Sequence, residues 1–319
     1  MTFFTRARAF RTALGVTATA VAMATAGTVG TAAAAGNPAD AGSAATRAGD
    51  RAAQAAGAPQ GAFAAPRAAA PATAPSFLLW ATDARTGYLS FYAPDGNGGL
   101  RPRLDTFVNY GFATAVAQVD NDKDGVRDGF WTVVNDGRLL FTDKDAAGES
   151  QSRDIGKGWQ TYRKVLSPGN IGGGAASDLI AVDKAGVLWL YTAYADGRVS
   201  PRVRIGAGWG DFTEIAGQDD LTGDGKADIV ARDKAGALWL YPGTGSYKAP
   251  FGARKKVGAG WNTYNRVLSI GDLDSDGRTD LLARTKTGDL YRYSGTGNAT
   301  TPFKKAVKIG FGYGGLNLL

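Results

Sequence analysis

Gly186-Val187-Leu188-Trp189-Leu190-Tyr191 and Gly236-Ala237-Leu238-Trp239-Leu240-Tyr241 agree at five of six positions, fifty residues apart. The same Gly-x-Leu opening returns at Gly87-Tyr88-Leu89, Gly137-Arg138-Leu139 and Gly288-Asp289-Leu290, so five copies are spaced by 50, 49, 50 and 52 residues. A period near fifty residues is a signature of propeller blades, each a supersecondary unit that cannot bury its own apolar faces. A second marker, an aromatic after a Gly-x-Gly step, recurs at Trp159, Trp209, Trp261 and Tyr313, with Phe112 read as a shorter first version.

Within one unit, four short β-branched or aromatic runs lie between Gly, Asp and Asn clusters: Tyr162–Leu166, Asp178–Val182, Gly186–Tyr191 and Val199–Ile205. They are too short for helices and fit strands. Trp80, Trp131, Trp189 and Trp239 fall within such runs and are expected in the core. The repeated region enters at Phe77-Leu78-Leu79-Trp80, corresponding to a second strand, and ends at Leu316-Asn317-Leu318-Leu319, corresponding to a first. The two part-blades complete one another. The expected fold is therefore all-β: a five-bladed β-propeller of four-stranded blades, closed by the C-terminal strand.

Between the first and second strands of three units lies a nine-residue loop rich in aspartate. Asp120, Asp122, Asp124 and Asp128 surround Gly125; Asp272, Asp274, Asp276 and Asp280 surround Gly277 in the same spacing. Asp220, Thr222, Asp224 and Asp228 keep three carboxylates and place a hydroxyl at position 3. Alternate oxygen ligands around a tight glycine turn suit a hard cation such as Ca²⁺. The fourth copy, Asn170 to Asp178, has Gly172 and Gly174 at positions 3 and 5 and is expected to hold no ion. Three structural Ca²⁺ ions are predicted. No EF-hand is formed, because Ala283 stands where that motif needs its terminal glutamate.

The N-terminal residues 1–35 carry Arg6, Arg8 and Arg11 before an uncharged Ala/Thr/Val/Gly stretch ending in Ala-x-Ala sites, and predict a secretory signal peptide. Residues 36–76 are rich in Ala and Pro with few large apolar side chains, and predict a disordered linker. Residues 77–319 form the propeller. The chain is expected to be secreted, extracellular or attached to a cell wall, with no membrane span after signal cleavage. The whole sequence has no cysteine and no histidine, which removes disulfides, the usual zinc sites and every His-based nucleophile system.

These aspartate loops, in blades reading Asp-Gly-x-x-Asp-Leu-Leu-Ala-Arg (Asp276 to Arg284), resemble the FG-GAP or VCBS repeat family. That family includes the integrin α-subunits and fungal lectins, and the resemblance implies a calcium-bearing propeller over about 77–319. The step from Ile205-Gly-Ala-Gly-Trp209 to Phe212 also resembles the repeat of five-bladed tachylectin-type propellers, which bind N-acetylated sugars between blades.

The function expected is a lectin-like, carbohydrate-binding propeller for cell-wall or surface glycans, working as a monomer. Its candidate ligand platforms are Trp159, Tyr162, Trp209, Phe212, Trp261 and Tyr264, since a flat aromatic suits a half-wet sugar site; packing between blades is the competing role for these rings. The loops hold 11 of 29 acidic residues, leaving 18 against 36 Lys and Arg, so with ions bound the surface turns basic and favours acidic polymers. No basic cluster or motif points to nucleic acid. The alternatives are a non-catalytic protein-binding scaffold and, less favoured, a glycoside hydrolase using Asp211, Glu214 or Asp219. A non-enzyme is expected.

Overall fold

Residues 37–55 and 74–319 are described in this computed structural model, and five antiparallel four-stranded sheets make up its bulk. Helix α1 (Pro38–Ala55) precedes β1 (Leu79–Asp83), β2 (Tyr88–Tyr92) and β3 (Leu104–Asn109) of blade one. Blade two is β4 (Ala113–Val119), β5 (Gly129–Val134), β6 (Arg138–Lys144) and β7 (Ser150–Lys157). Blade three follows as β8 (Tyr162–Gly169), β9 (Asp178–Asp183), β10 (Leu188–Tyr191) and β11 (Val203–Gly206). Blade four comprises β12 (Phe212–Ala216), β13 (Ile229–Asp233), β14 (Leu238–Tyr241) and β15 (Lys255–Gly258). Blade five comprises β16 (Tyr264–Gly271), β17 (Asp280–Thr285), β18 (Leu290–Tyr293) and β19 (Val307–Gly310), and β20 (Leu316–Leu318) ends the chain.

The ring closes as the two part-blades predict. β20 pairs antiparallel with β1, in the register Ala81↔Leu318, Thr82↔Asn317 and Asp83↔Leu316, so blade one has the order β20-β1-β2-β3. The fourth strand of blade three starts only at Val203: Pro201 has no N–H for the ladder, and Val199 instead bridges Ala193.

Five apolar clusters lie between successive sheets. Four are wedged by the repeated aromatic, whose backbone N–H donates to the glycine carbonyl of the preceding blade's Gly-x-Leu turn. Trp159 bonds Gly137, Trp209 bonds Gly186, Trp261 bonds Gly236 and Tyr313 bonds Gly288, all at 2.9–3.0 Å. In the first copy the residue making this bond is Tyr110, to Gly87 at 2.9 Å, and not Phe112. Tyr110 is fully buried and its hydroxyl meets Thr132 Oγ1 at 2.7 Å. Trp80 and Trp131 are in the core as expected, but Trp189 and Trp239 are only half-buried.

The predicted linker departs most from expectation, because part of it is an ordered helix. Asn37 caps α1 through its Oδ1, which accepts from the Ala39 amide at 3.3 Å. Pro38 occupies the first turn, where its missing N–H costs nothing, and Asp40 complements the positive end of the helix dipole. Ala41, Ala45, Ala48 and Ala52 recur at helical spacing and pack in the cluster between blades one and two. The rest of the predicted linker before Ala74, and the predicted signal, lie outside the described residues.

Two breaks in the repeat explain why the helix fits there. Five residues after each Gly-x-Leu glycine stand Tyr92, Tyr191, Tyr241 and Tyr293, but blade two has Thr142. Three residues after the wedge aromatic stand Tyr162, Phe212 and Tyr264, but blade two has Ala113. The wedge between blades one and two thus lacks two rings, and α1 fills the space with small residues. Gly42 is so close that a Cβ there would lie 2.8 Å from both Thr142 Oγ1 and Ser152 Oγ. Asp50 adds an ion pair with Lys144 at 3.0 Å. Gly42→Leu should therefore lower stability by about 1–3 kcal/mol through overpacking. Urea denaturation tests this, and Ser43→Ala, at a neighbouring position, should leave the midpoint nearly unchanged.

Candidate metal and ligand sites

Each aspartate loop is a tight turn between the innermost strand of a blade and the next. Position 6 is left-handed in the three acidic copies, at Gly125 (φ 88°), Gly225 (81°) and Gly277 (82°), which glycine adopts without strain. Position 4 is left-handed too, and there Lys123 and Ser275 accept φ of 59°. This backbone brings the carboxylates of Asp120, Asp122 and Asp124 within 4.8 Å of one another, and likewise those of Asp272, Asp274 and Asp276. Asp120 Oδ1 and Asp274 Oδ1 are buried without a hydrogen-bond partner. One orphaned anionic oxygen within each carboxylate cluster fits a hard cation.

Asp220 in the third loop is differently engaged, accepting from the amides of Thr222, Gly223 and Gly225 at 2.6–2.8 Å. In the degenerate loop Asn170 Oδ1 accepts from Gly173 at 2.9 Å. The position-9 residues, counted as ligands from the spacing, hold the loops together here. Asp228 Oδ2 accepts from Leu221 and Thr222, and its Oδ1 from Gly243. Asp280 bonds Leu273 and Gly295 in the same way, and Asp128 bonds Asn121 and Asp122. Asp178 makes the equivalent contacts to Ile171, Gly172 and Ala193 in the loop that has lost positions 3 and 5. Position 9 thus organises the loop in all four copies.

Crowding has an electrostatic cost. Burial, then the neighbouring carboxylates, pushes Asp120 up to about 7 against the help of the Gly125 amide. Burial likewise raises Asp228 and Asp280 to about 6. Around the blade-five cluster Arg292 lies 3.2 Å from Asp274, and Lys304 lies 3.3 Å from Asp276.

Among the predicted sugar platforms the three indoles and Phe212 are interior walls, while Tyr162 and Tyr264 are half-buried. Trp159, Trp209 and Trp261 are 5%, 7% and 6% exposed. Each is flanked by two more rings: Tyr162 and Tyr191 for the first, Phe212 and Tyr241 for the second, Tyr264 and Tyr293 for the third. An indole enclosed between sheets has no face left for a sugar ring.

Two half-buried tryptophans lie further out, on the third strands of blades three and four. Trp189 is half-buried, its Nε1 donates to Asp183 at 2.8 Å, and the Arg202 guanidinium stacks 4.0 Å from the ring centroid. Arg202 also donates to Tyr162 OH at 2.8 Å. Blade four repeats the arrangement: Trp239 bonds Asp233 at 2.8 Å, and Arg254 stacks at 4.1 Å and donates to Tyr241 OH at 3.4 Å. The indole hydrogen bonds hold Asp183 and Asp233 below the usual carboxylate range. Arg103 occupies the same register place in blade one, paired with Asp105. The signal available in sequence was an arginine four residues before Gly206 and Gly258.

The inner strands of all five blades enclose a cavity of about 510 Å³. Here Glu214, which breaks the repeat set by Lys164 and Arg266, has its explanation. Its Oε2 lies 3.6 Å from Lys164 Nζ and 3.3 Å from Arg266 Nη1. Burial, and then the Arg266 charge, pushes Lys164 down to about 8. The other two acids considered for glycoside hydrolysis are apart from it in the fold. Asp211 pairs with Lys234 on the surface, and Asp219 follows the far end of β12. Glu214→Gln should cost about 3 kcal/mol, since two partly buried cations then face each other without a counter-ion. Adding Lys164→Met should recover most of that loss in urea denaturation.

Arg232 and Arg284 are a further pair that the sequence reading missed. Arg232 crosses to the carbonyls of Trp261 and Tyr264, and Arg284 to those of Tyr313 and Leu316. Blade three has Val182 at this place, and Arg163 on the adjacent strand makes the contacts instead, to Trp209 and Phe212.

Two aspartate loops of this geometry, 52 residues apart, sit within one continuous stretch. Residues 220–283 match the family model described as FG-GAP-like repeat. The matched FG-GAP-like segment begins at Asp220, the first position of one loop, and contains all of the next. No curated protein matches the chain. Among solved structures it is similar to the BP39L lectin from Burkholderia pseudomallei, at 14% identity and a TM-score of 0.45, over 77% of this chain and 74% of that one. It is also similar to AofleA from Arthrobotrys oligospora, at 9% identity and a TM-score of 0.43, over 75% and 74% of the two chains. A third similarity is to the Dos1 propeller, at 11% identity and a TM-score of 0.36, over 74% of this chain and 59% of that one. No helix among the described residues is long and apolar enough to cross a membrane.

Proposed function

We propose that this protein is an exported, calcium-stabilised propeller that binds acidic cell-wall or surface glycans, without catalysing a reaction on them. The observation that carries the reading is the rim station repeated in blades three and four: a half-exposed indole, a stacked exposed guanidinium, a tyrosine hydroxyl and a carboxylate. An aromatic edge beside a guanidinium suits a sugar bearing a carboxylate or sulfate, which arginine can hold bidentately. Two similar stations on one rigid ring turn weak single contacts into avidity for a polymer. Export rests on the N-terminal charge and Ala-x-Ala pattern.

Retention on an insoluble acidic polysaccharide such as polygalacturonate tests the glycan reading. Arg202→Ala and Arg254→Ala should each weaken retention, and the double variant should abolish it, with melting temperature nearly unchanged. Retention of the double variant at the level of the parent, or a blank glycan array in calcium, discards the lectin reading.

Calcium is proposed for the loops around Asp120, Asp220 and Asp272, three ions in all, because their hard oxygens in a flexible turn match its preferences better than those of Mg²⁺. Each ion at a hundred times its dissociation constant would add about 2.7 kcal/mol to stability. Asp276→Ala should remove one ion by metal analysis, and changing Asn170 should remove none. The sign with pH follows from Asp120. Its raised value means that the metal-free fold loses stability as pH rises from near 4 toward 7, where the carboxylate ionises without a counter-ion. A bound cation reverses that loss, so the calcium-induced rise in melting temperature should be larger at pH 8 than at pH 6. Calorimetric scans with and without chelator measure this.

A further inference from the structure

We propose that the central cavity is a binding site for one compact oxyanion, held between Lys164 and Arg266 and distinct from the rim stations. Three observations converge. The cavity's volume, about 510 Å³, is in the range of small-molecule sites, and every blade's innermost strand contributes to its wall. Its charge is unbalanced: Lys164 and Arg266 share one oxygen of Glu214, at 3.6 and 3.3 Å, and the Val267 amide also leans on that oxygen at 3.4 Å. Arg266 Nε is buried without any acceptor.

The other two guanidiniums on this wall do not compete for the ligand: Arg163 is spent on the carbonyls of Trp209 and Phe212. Arg284 is spent on Asn265 and on the carbonyls of Tyr313 and Leu316. Lys164 and Arg266 therefore retain donors that a single carboxylate does not satisfy. Their side chains are only 19% and 24% exposed, so water screens them incompletely. Ser167 and Gln218, both nearly buried, supply neutral polar groups to the same wall. Buried donors without acceptors are costly, and an oxyanion placed here satisfies several at once with charge-assisted bonds. The lowered Lys164 value agrees, because a bound anion is what would restore the lysine to full charge.

The ligand chemistry is a carboxylate, sulfate or phosphate oxygen set small enough to enter the ring. It comes either from a free inorganic ion or from an acidic monosaccharide. Isothermal titration of the full chain with sodium phosphate, sodium sulfate and sodium glucuronate, against glucose as the neutral control, separates these sources. The expected result is one site per chain for an anion and none for glucose. Tighter glucuronate assigns the site to a sugar acid, and tighter phosphate or sulfate assigns it to the inorganic ion.

Lys164→Met should weaken binding on the order of thirtyfold, as expected when one member of a desolvated charge contact is removed. This variant leaves the Arg266–Glu214 pair intact and so should fold. Arg202→Ala/Arg254→Ala should bind the anion as the parent does, which keeps failure of this site distinguishable from failure of the rim reading. Absence of binding for all three anions at millimolar concentration overturns the proposal. So does unchanged affinity in a folded Lys164→Met protein.

Discussion

A four-stranded twisted sheet presents two apolar faces and can cover neither by itself, so this molecule depends on what lies between its sheets. The answer is one contact made five times: an aromatic side chain pushed between two blades, with its own amide tied to the turn of the blade behind. The hydrogen bond fixes where the ring enters, and the ring fixes how far apart the sheets stand. Arg163, Arg232 and Arg284 then cross three of these gaps to the carbonyls around the wedge, so that a polar lattice and an apolar filling hold those interfaces together. In blade three the arginine has moved to the neighbouring strand without loss of the contact, which shows that the carbonyls needing a donor, and not the strand supplying it, are the constraint.

The interface between blades one and two is filled from outside the repeat. Thr142 and Ala113 withdraw two rings, and the small face of α1 enters in their place. Alanine contributes little apolar area per residue, so the helix contributes through close approach instead, with Gly42 and Gly49 buried against the blades. Helix and missing rings form one unit of design: restoring aromatics at positions 113 and 142 would leave α1 no seat.

Fold and closure were legible in the sequence because periodicity and strand count are properties of the whole repeat. Single residues were less so. Trp159, Trp209 and Trp261 carry the same residue type as Trp189 and Trp239, yet the first three are enclosed and the latter two half-exposed. Composition cannot separate them, because the first three stand on short 3-10 turns that enter the gap between blades and the other two on third strands. Position 9 of the aspartate loops has a role that spacing alone does not show. Spacing predicts where a carboxylate can reach, but not that backbone amides reach it first, as the degenerate copy at Asp178 makes plain. Helix α1 was hidden by its own composition, although Asn37-Pro38-Ala39-Asp40 is a good helix start and Ala41, Ala45, Ala48 and Ala52 recur at helical spacing.

The pairing of β1 with β20 also sets an order of events during synthesis. Leu79 to Asp83 leave the ribosome early, and their inner neighbour is made more than two hundred residues later. Until Leu316 to Leu318 emerge, the inner edge of the first blade has open backbone groups, a template for other chains. Blades two to five are each contiguous in sequence and can form as they appear, whereas blade one must wait and then meet the largest loop-closure entropy in the molecule. The nascent chain is therefore most prone to wrong pairing at blade one, and the emergence of Leu316 to Leu318 ends that exposure.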